Sequence, residues 1–146
     1  MAIFADLHVH IGATSTGQAV KITASRRLTL ENILKECRER KGIHMVGIID
    51  AASPPVLKDL GELIAKGDLV PLAGGGLKYL EDVTLVLGAE VELPGPYGGG
   101  AHFLIYTPTM ETMQELSTFL NHHITNITLS SQKARISIPE LHCFVT

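Results

Sequence analysis

Cysteine is scarce in this chain: Cys37 and Cys143 are the two present, and they have no paired spacing. That scarcity excludes a disulfide framework and a cysteine zinc site, and it favours a reducing compartment, so the expected address is cytoplasmic. No charged leader precedes an apolar segment, and no run approaches eighteen apolar residues, so neither a signal peptide nor a membrane span is expected. Positive charge is not in excess either. The formal net charge is -3, which leaves no global basic field to attract nucleic acid; any such partner would have to be met by a local patch. Gly74-Gly75-Gly76 lacks a following Lys-Ser or Lys-Thr, which excludes a nucleotide-binding P-loop and leaves a hairpin or an ordered insertion over 68–80. What is present suits one domain of ordinary size, since 146 residues with 45% hydrophobic content can bury a core.

The stretch Ala5-Asp6-Leu7-His8-Val9-His10 reads as the end of a strand over 2–8. Alternation across a sheet puts Asp6, His8 and His10 on one face, three potential ligands for one ion, with Leu7 and Val9 on the other. Imidazole suits zinc, iron and manganese-type ions; the alternative is a pair of surface histidines on an edge strand. A polar loop follows over 11–27. Its hydroxyls and its cations Lys21, Arg26 and Arg27 match phosphate oxygens, or simply face solvent.

Thr29 is an N-cap candidate, and Leu30, Ile33, Leu34 and Cys37 repeat at helical spacing up to Gly42, which predicts a helix over 30–41. The apolar run 44–50 ends in Asp50, as buried parallel strands before a loop do. An acid at the carboxyl end of such a strand is a candidate for chemistry, or for an Asx turn or cap ahead of Ser53-Pro54-Pro55. His44, at the other end, reads as structural. Val56, Leu60, Leu63 and Ile64 predict a helix over 55–66 closed by Gly67.

A third strand over 83–90 leads into Glu90 and Glu92, which share a face. A carboxylate with one oxygen for each of two ions is the usual bridge in a two-metal centre; otherwise one Glu pairs with a cation and the other is solvated. After the glycine-rich turn 94–100, a strand over 101–106 begins near His102, which reaches Glu90 if this strand runs antiparallel and is otherwise structural. Thr107-Pro108 predicts the cap and first position of a helix over 109–121, with Met110, Met113, Leu116, Phe119 and Leu120 facing the core. His122 and His123 at its end complement the helix dipole. Residues 126–146 carry no clear cap in this reading.

In this order, Asp6-Leu7-His8-Val9-His10, Gly47-Ile-Ile-Asp50, Gly88-Ala-Glu90-Val-Glu92 and His102 resemble the metal motifs of the polymerase and histidinol phosphatase (PHP) superfamily. Residues 5–27, with Thr16-Gly17 and Val20-Lys21-Ile22-Thr23, and residues 126–133, with Leu129-Ser-Ser-Gln132, are similar to the N-terminal half of bacterial members of the endonuclease Q group. The resemblance implies a distorted seven-stranded α/β barrel, of which this chain would be the N-terminal part. It implies a centre of two or three ions, zinc or else manganese or iron, and DNA nicking on the 5′ side of deaminated bases or abasic sites.

By that resemblance His8, His10, Asp50, Glu90 and His102 are metal ligands, and Lys21, Arg26 and Arg27 contact the phosphates of damaged DNA. The chain also departs from the family. Ala51, Ala52 and Ser53 stand where a histidine is common, and after His102 no counterpart exists for the late histidine and Asp-x-His ligands, His142 having the wrong context. The expectation is therefore an N-terminal portion over 1–134 and a truncated or frame-shifted tail over 135–146. A PHP-type phosphatase of a small phosphomonoester and an inactive metal-binding remnant are the alternatives.

Overall fold

The computed structural model describes residues 2–95, 97–130 and 132–146. Pro96 of the predicted glycine-rich turn and Ser131 of the Leu129-Ser-Ser-Gln132 stretch lie outside the described residues. The elements run β1 (Ala5–Val9), α1 (Leu30–Glu36), β2 (Met45–Ile48), α2 (Pro54–Lys66), β3 (Leu69–Pro71), β4 (Leu77–Tyr79), β5 (Val83–Pro94), β6 (Gly100–Thr107), α3 (Met110–Asn121), β7 (Gln132–Lys133) and α4 (Ile138–Val145). α1 passes into a π-helical turn over Cys37–Lys41, and Gly42 closes it in the left-handed region at φ 61°. No helix among the described residues is long and apolar enough to cross a membrane.

The fold is mixed α/β around one seven-stranded sheet in the order β1-β2-β5-β4-β3, with β6 and β7 also pairing with β5. β5 is the spine because its twelve residues offer ladders on both sides. It runs parallel to β2 and then to β7, and antiparallel to β4 and then to β6. β1 joins the sheet through β2, in parallel, and β3 through β4, as the hairpin expected over 68–80. The sheet is open, so the barrel closure implied by the resemblance is absent from the described residues.

Alternation along β5 divides the sheet into two faces. Leu85, Leu87, Ala89, Val91 and Leu93 are buried and join Val46 and Ile48 of β2 in one core with Leu30 and Leu34 of α1, Val56 and Leu60 of α2, and Met113, Leu116 and Leu120 of α3. Burying this much apolar surface is the main driving force for the layer. Thr84, Val86, Glu90 and Glu92 alternate with them and are only partly covered.

Three local expectations are corrected. The cap of α3 is Thr109 rather than Thr107: β6 continues through Thr107, and Thr109 and Thr112 cap each other reciprocally. The chain after 134 does carry a cap, Ser137 with Glu140, which starts α4 with Pro139 in its first turn. Leu141 of that helix is buried, and Phe144 stacks on Phe119 at 4.0 Å between centroids. The third concerns β1, whose pairing with β2 shifts register between Asp6 and Val9. That bulge takes Asp6 out of the set formed with His8 and His10. Asp6 lies instead with Val9, Ile33 and Cys37 along a groove beside α1, and its Oδ1 accepts the His8 amide at 3.2 Å.

Candidate metal centre

The loops after β1 and β2 carry His10 and Asp50, and backbone bonds hold both loops against β5. The Ile49 amide donates to Val9 O at 3.1 Å, the Glu90 amide to Ile49 O at 3.0 Å, and the Ala51 amide to Gly88 O at 3.0 Å. These bonds lock the loops that follow β1 and β2 onto the middle of β5, where Asp50 faces Ala89 in an isolated bridge. The loop after β2 is fixed further by Ser117, whose hydroxyl donates to Ala52 O at 2.6 Å, and by Ser53, whose hydroxyl donates to Thr128 O at 2.9 Å.

On that frame Glu90 points toward three imidazoles. Its Oε2 lies 3.4 Å from His10 Nε2, and its Oε1 lies 3.5 Å from His8 Nε2 and 3.1 Å from His102 Nδ1. The carboxylate is the sheltered partner, with its side chain 6% exposed, whereas the imidazoles of His8 and His102 are about half exposed. β6 is antiparallel to β5 and sets His102 opposite Glu92, two residues along from Glu90, so a histidine opening its strand still reaches the site. Among the described residues, His8, His10 and Glu90 form the group whose nitrogen and oxygen donors all lie within 4.8 Å of one another.

Asp50 stands one layer back. Its side chain is 1% exposed, its Oδ2 accepts the Ile11 amide at 2.7 Å, and both oxygens lie 3.2 Å from His10 Nδ1. Against an ionised carboxylate a ring nitrogen can only donate, so a neutral His10 that donated from Nδ1 to Asp50 would have Nε2 as its ligand atom for an ion. Ser130 Oγ lies 3.0 Å from the same Nδ1. The sequence marks Ser130 only as part of the Leu129-Ser-Ser-Gln132 stretch; its amide donates to Val20 O at 3.0 Å and brings a distant loop over His10, which no local spacing foretells.

The other residues divide. Glu92 turns to Lys133, whose Nζ lies 3.6 Å away, and its carboxylate occupies the space a side chain at Gly100 would need. Lys21 follows Val20 and so stands beside the Ser130 loop. Arg26 reaches back to Gly17 O at 3.5 Å. Arg27 lines the groove of about 670 Å³ between β1 and α1 that also contains Asp6 and Val9, so the three cations do not form one patch around Glu90. His44 accepts the Phe4 amide at 3.2 Å and stacks on the Phe4 ring.

Tyr106, not anticipated from the sequence, donates to Leu7 O at 2.6 Å. Burial, helped by the negative charge of Asp6, pushes its phenol above the ordinary value, so it is a neutral donor at neutral pH. Burial likewise raises the Cys37 thiol, with Asp6 adding to the shift.

No family model matches the sequence. The chain is 47% identical over 132 residues to the uncharacterized protein YqxK of Bacillus subtilis (strain 168), a match covering 90% of this chain and 34% of that protein. Its fold is similar, with a TM-score of 0.73 and 22% identity, to a crystal structure of Endonuclease Q in complex with a 27-mer duplex substrate with an abasic lesion at the active site. That match covers 96% of this chain and 31% of the solved one. The chain thus spans about a third of the length of each of these two proteins.

Proposed function

We propose that the chain is the metal-binding portion of a metal-dependent phosphoesterase acting on DNA at deaminated bases or abasic sites. The observation that carries this reading is the Glu90 carboxylate, which offers one oxygen to His10 and the other to His8 and His102 on a sheet folded like that of Endonuclease Q. In this reading residues 1–134 are the N-terminal portion of a longer PHP-like hydrolase domain, and the open sheet is part of its barrel.

The donor set fits a borderline ion. Neutral imidazoles with one carboxylate suit zinc, and also iron or manganese, and the Asp50 bond to His10 Nδ1 is the kind of outer contact that orients a histidine ligand. His8, His10 and Glu90 would hold one ion, while His102, which shares Glu90 Oε1 with His8, would serve a second. Asp50 is then a positioning group for His10 rather than a direct ligand. When bound, such ions supply charge neutralisation at a phosphate and an acidified water nucleophile near neutral pH. The chain's own residues orient the His10 ring through Asp50 and shelter the Glu90 carboxylate. Lys21, Arg26 and Arg27 would contact the phosphate backbone, which positions a strand without reading sequence.

The test is nicking of a duplex carrying deoxyuridine or an abasic site, with added zinc or manganese, by this chain and by the longer Bacillus subtilis protein. Lesion-dependent nicking by the longer protein, with little or none by the 146-residue chain, is the expected result. Hydrolysis of a small phosphomonoester with the duplex left intact would favour the phosphatase reading, and metal binding with no phosphoester hydrolysis would favour an inactive remnant.

A further inference from the structure

We infer that Tyr106 is a positioning residue for His8, acting through the bulge in β1; the inference rests on reading His8, His10 and Glu90 as metal ligands. A strand that kept its register through Leu7 would present His8 differently, because each one-residue slip exchanges the faces. The bulge is accommodated by the residues beneath it. A Cβ at Gly47 would come within 2.4 Å of Leu7 O, and one at Gly88 would come within 3.0 Å of the Tyr106 ring.

Two glycines in adjacent strands therefore leave room for the Leu7 backbone and the Tyr106 ring to lie down on the sheet. The Tyr106 hydroxyl then donates to the Leu7 carbonyl at 2.6 Å, one residue before His8. On the other side of the bulge the Asp6 carboxylate accepts the His8 amide. Leu7 O is thus held by β6, and β6 also carries His102 toward Glu90. One strand supplies a donor to the centre and fixes the segment that presents another, so Tyr106 couples the placement of His8 to that of His102. Gly47, Gly88 and Tyr106 act together: the glycines create the space and the phenol fixes what occupies it.

The experiment compares wild type, Tyr106→Phe and, as a control, Tyr79→Phe, which removes a phenol hydroxyl from β4. Amide exchange over Leu7–Val9 is measured on the metal-free chain, and zinc affinity by competition with a chromophoric chelator. Tyr106→Phe is expected to speed exchange across the bulge roughly fivefold or more, the size of one lost hydrogen bond. It is also expected to weaken zinc binding about 10- to 100-fold, with far-ultraviolet circular dichroism unchanged and Tyr79→Phe like wild type on both measures. Where wild type binds zinc, exchange or affinity of Tyr106→Phe equal to wild type overturns the inference. Where wild type binds no zinc, the metal reading falls, and unchanged exchange would overturn the placement of His8 by Tyr106 as well.

Discussion

The two faces of β5 obey different rules. On the helix-covered face, Leu85, Leu87, Ala89 and Val91 are no more than 2% exposed, and each is the kind of residue that burial alone would select. On the open face the same strand offers Gly88, Glu90 and Glu92, opposite Tyr106, Leu104 and His102 of β6. Nothing in the packing of a core calls for that sequence. One face holds the strand in place with apolar area, and the other uses the placement to set a carboxylate among imidazoles. Apolar burial and the candidate metal site are thus separated by a single residue step along the chain.

The largest expected effect tests that separation with one residue type. Leu87→Ala on the covered face should cost about 2–5 kcal/mol of stability, whereas Leu104→Ala, 38% exposed on the open face, should cost about 0.5 kcal/mol or less. Urea denaturation of both measures the contrast, and equal losses would mean that the open face is packed after all. Gly47→Ala comes next, with an expected cost of about 1–3 kcal/mol, because the new methyl would meet the Leu7 backbone, which cannot swing aside as a side chain can. The same variant should speed amide exchange in β1 while leaving β5 and β6 protected.

The smallest effect lies away from both faces. The Ser137 amide and hydroxyl hold the Glu140 carboxyl below its ordinary range. A carboxyl depressed by folding contributes stability that is present above its unfolded pKa and is lost as pH falls through the folded value. The docking of α4 should therefore loosen at acid pH, and Glu140→Gln should remove that step from a plot of urea midpoint against pH. A plot unchanged by Glu140→Gln would mean that the cap contributes nothing to the docking.

The covered face was legible in advance. The apolar runs before Asp50 and Glu90, and the helical spacing of Leu30, Ile33 and Leu34 and of Met113, Leu116 and Leu120, follow from burial on a fixed period, and the elements lie close to where that period puts them. The histidines and acids stand out in the sequence as strand-end residues, yet Glu90 and Glu92 lie inside β5, which runs on to Pro94, and His102 lies inside β6. Their division of labour could not be read. Asp6 left the expected face because Gly47, on another strand, admits a bulge at Leu7. Asp50 turned to His10 Nδ1 and the Ile11 amide, and Ser130 arrived from 120 residues away. Each of these depends on which backbones approach in space, and one sequence does not encode that in any local spacing. Ser137-Ile-Pro-Glu140 is different, since a capping signature was present and outweighed by the irregular composition around it.

The central claim is that the open face holds a metal ion through His8, His10 and Glu90. Equilibrium dialysis of the metal-free chain against zinc, followed by metal analysis, tests it most directly when wild type is compared with His10→Ala and Glu90→Gln. The account predicts bound zinc in wild type and an affinity weaker by about 100-fold or more in each variant, since direct ligands matter at least as much as the outer contacts that cost 10- to 100-fold. Zinc absent from wild type, or retained equally by Glu90→Gln, would contradict it.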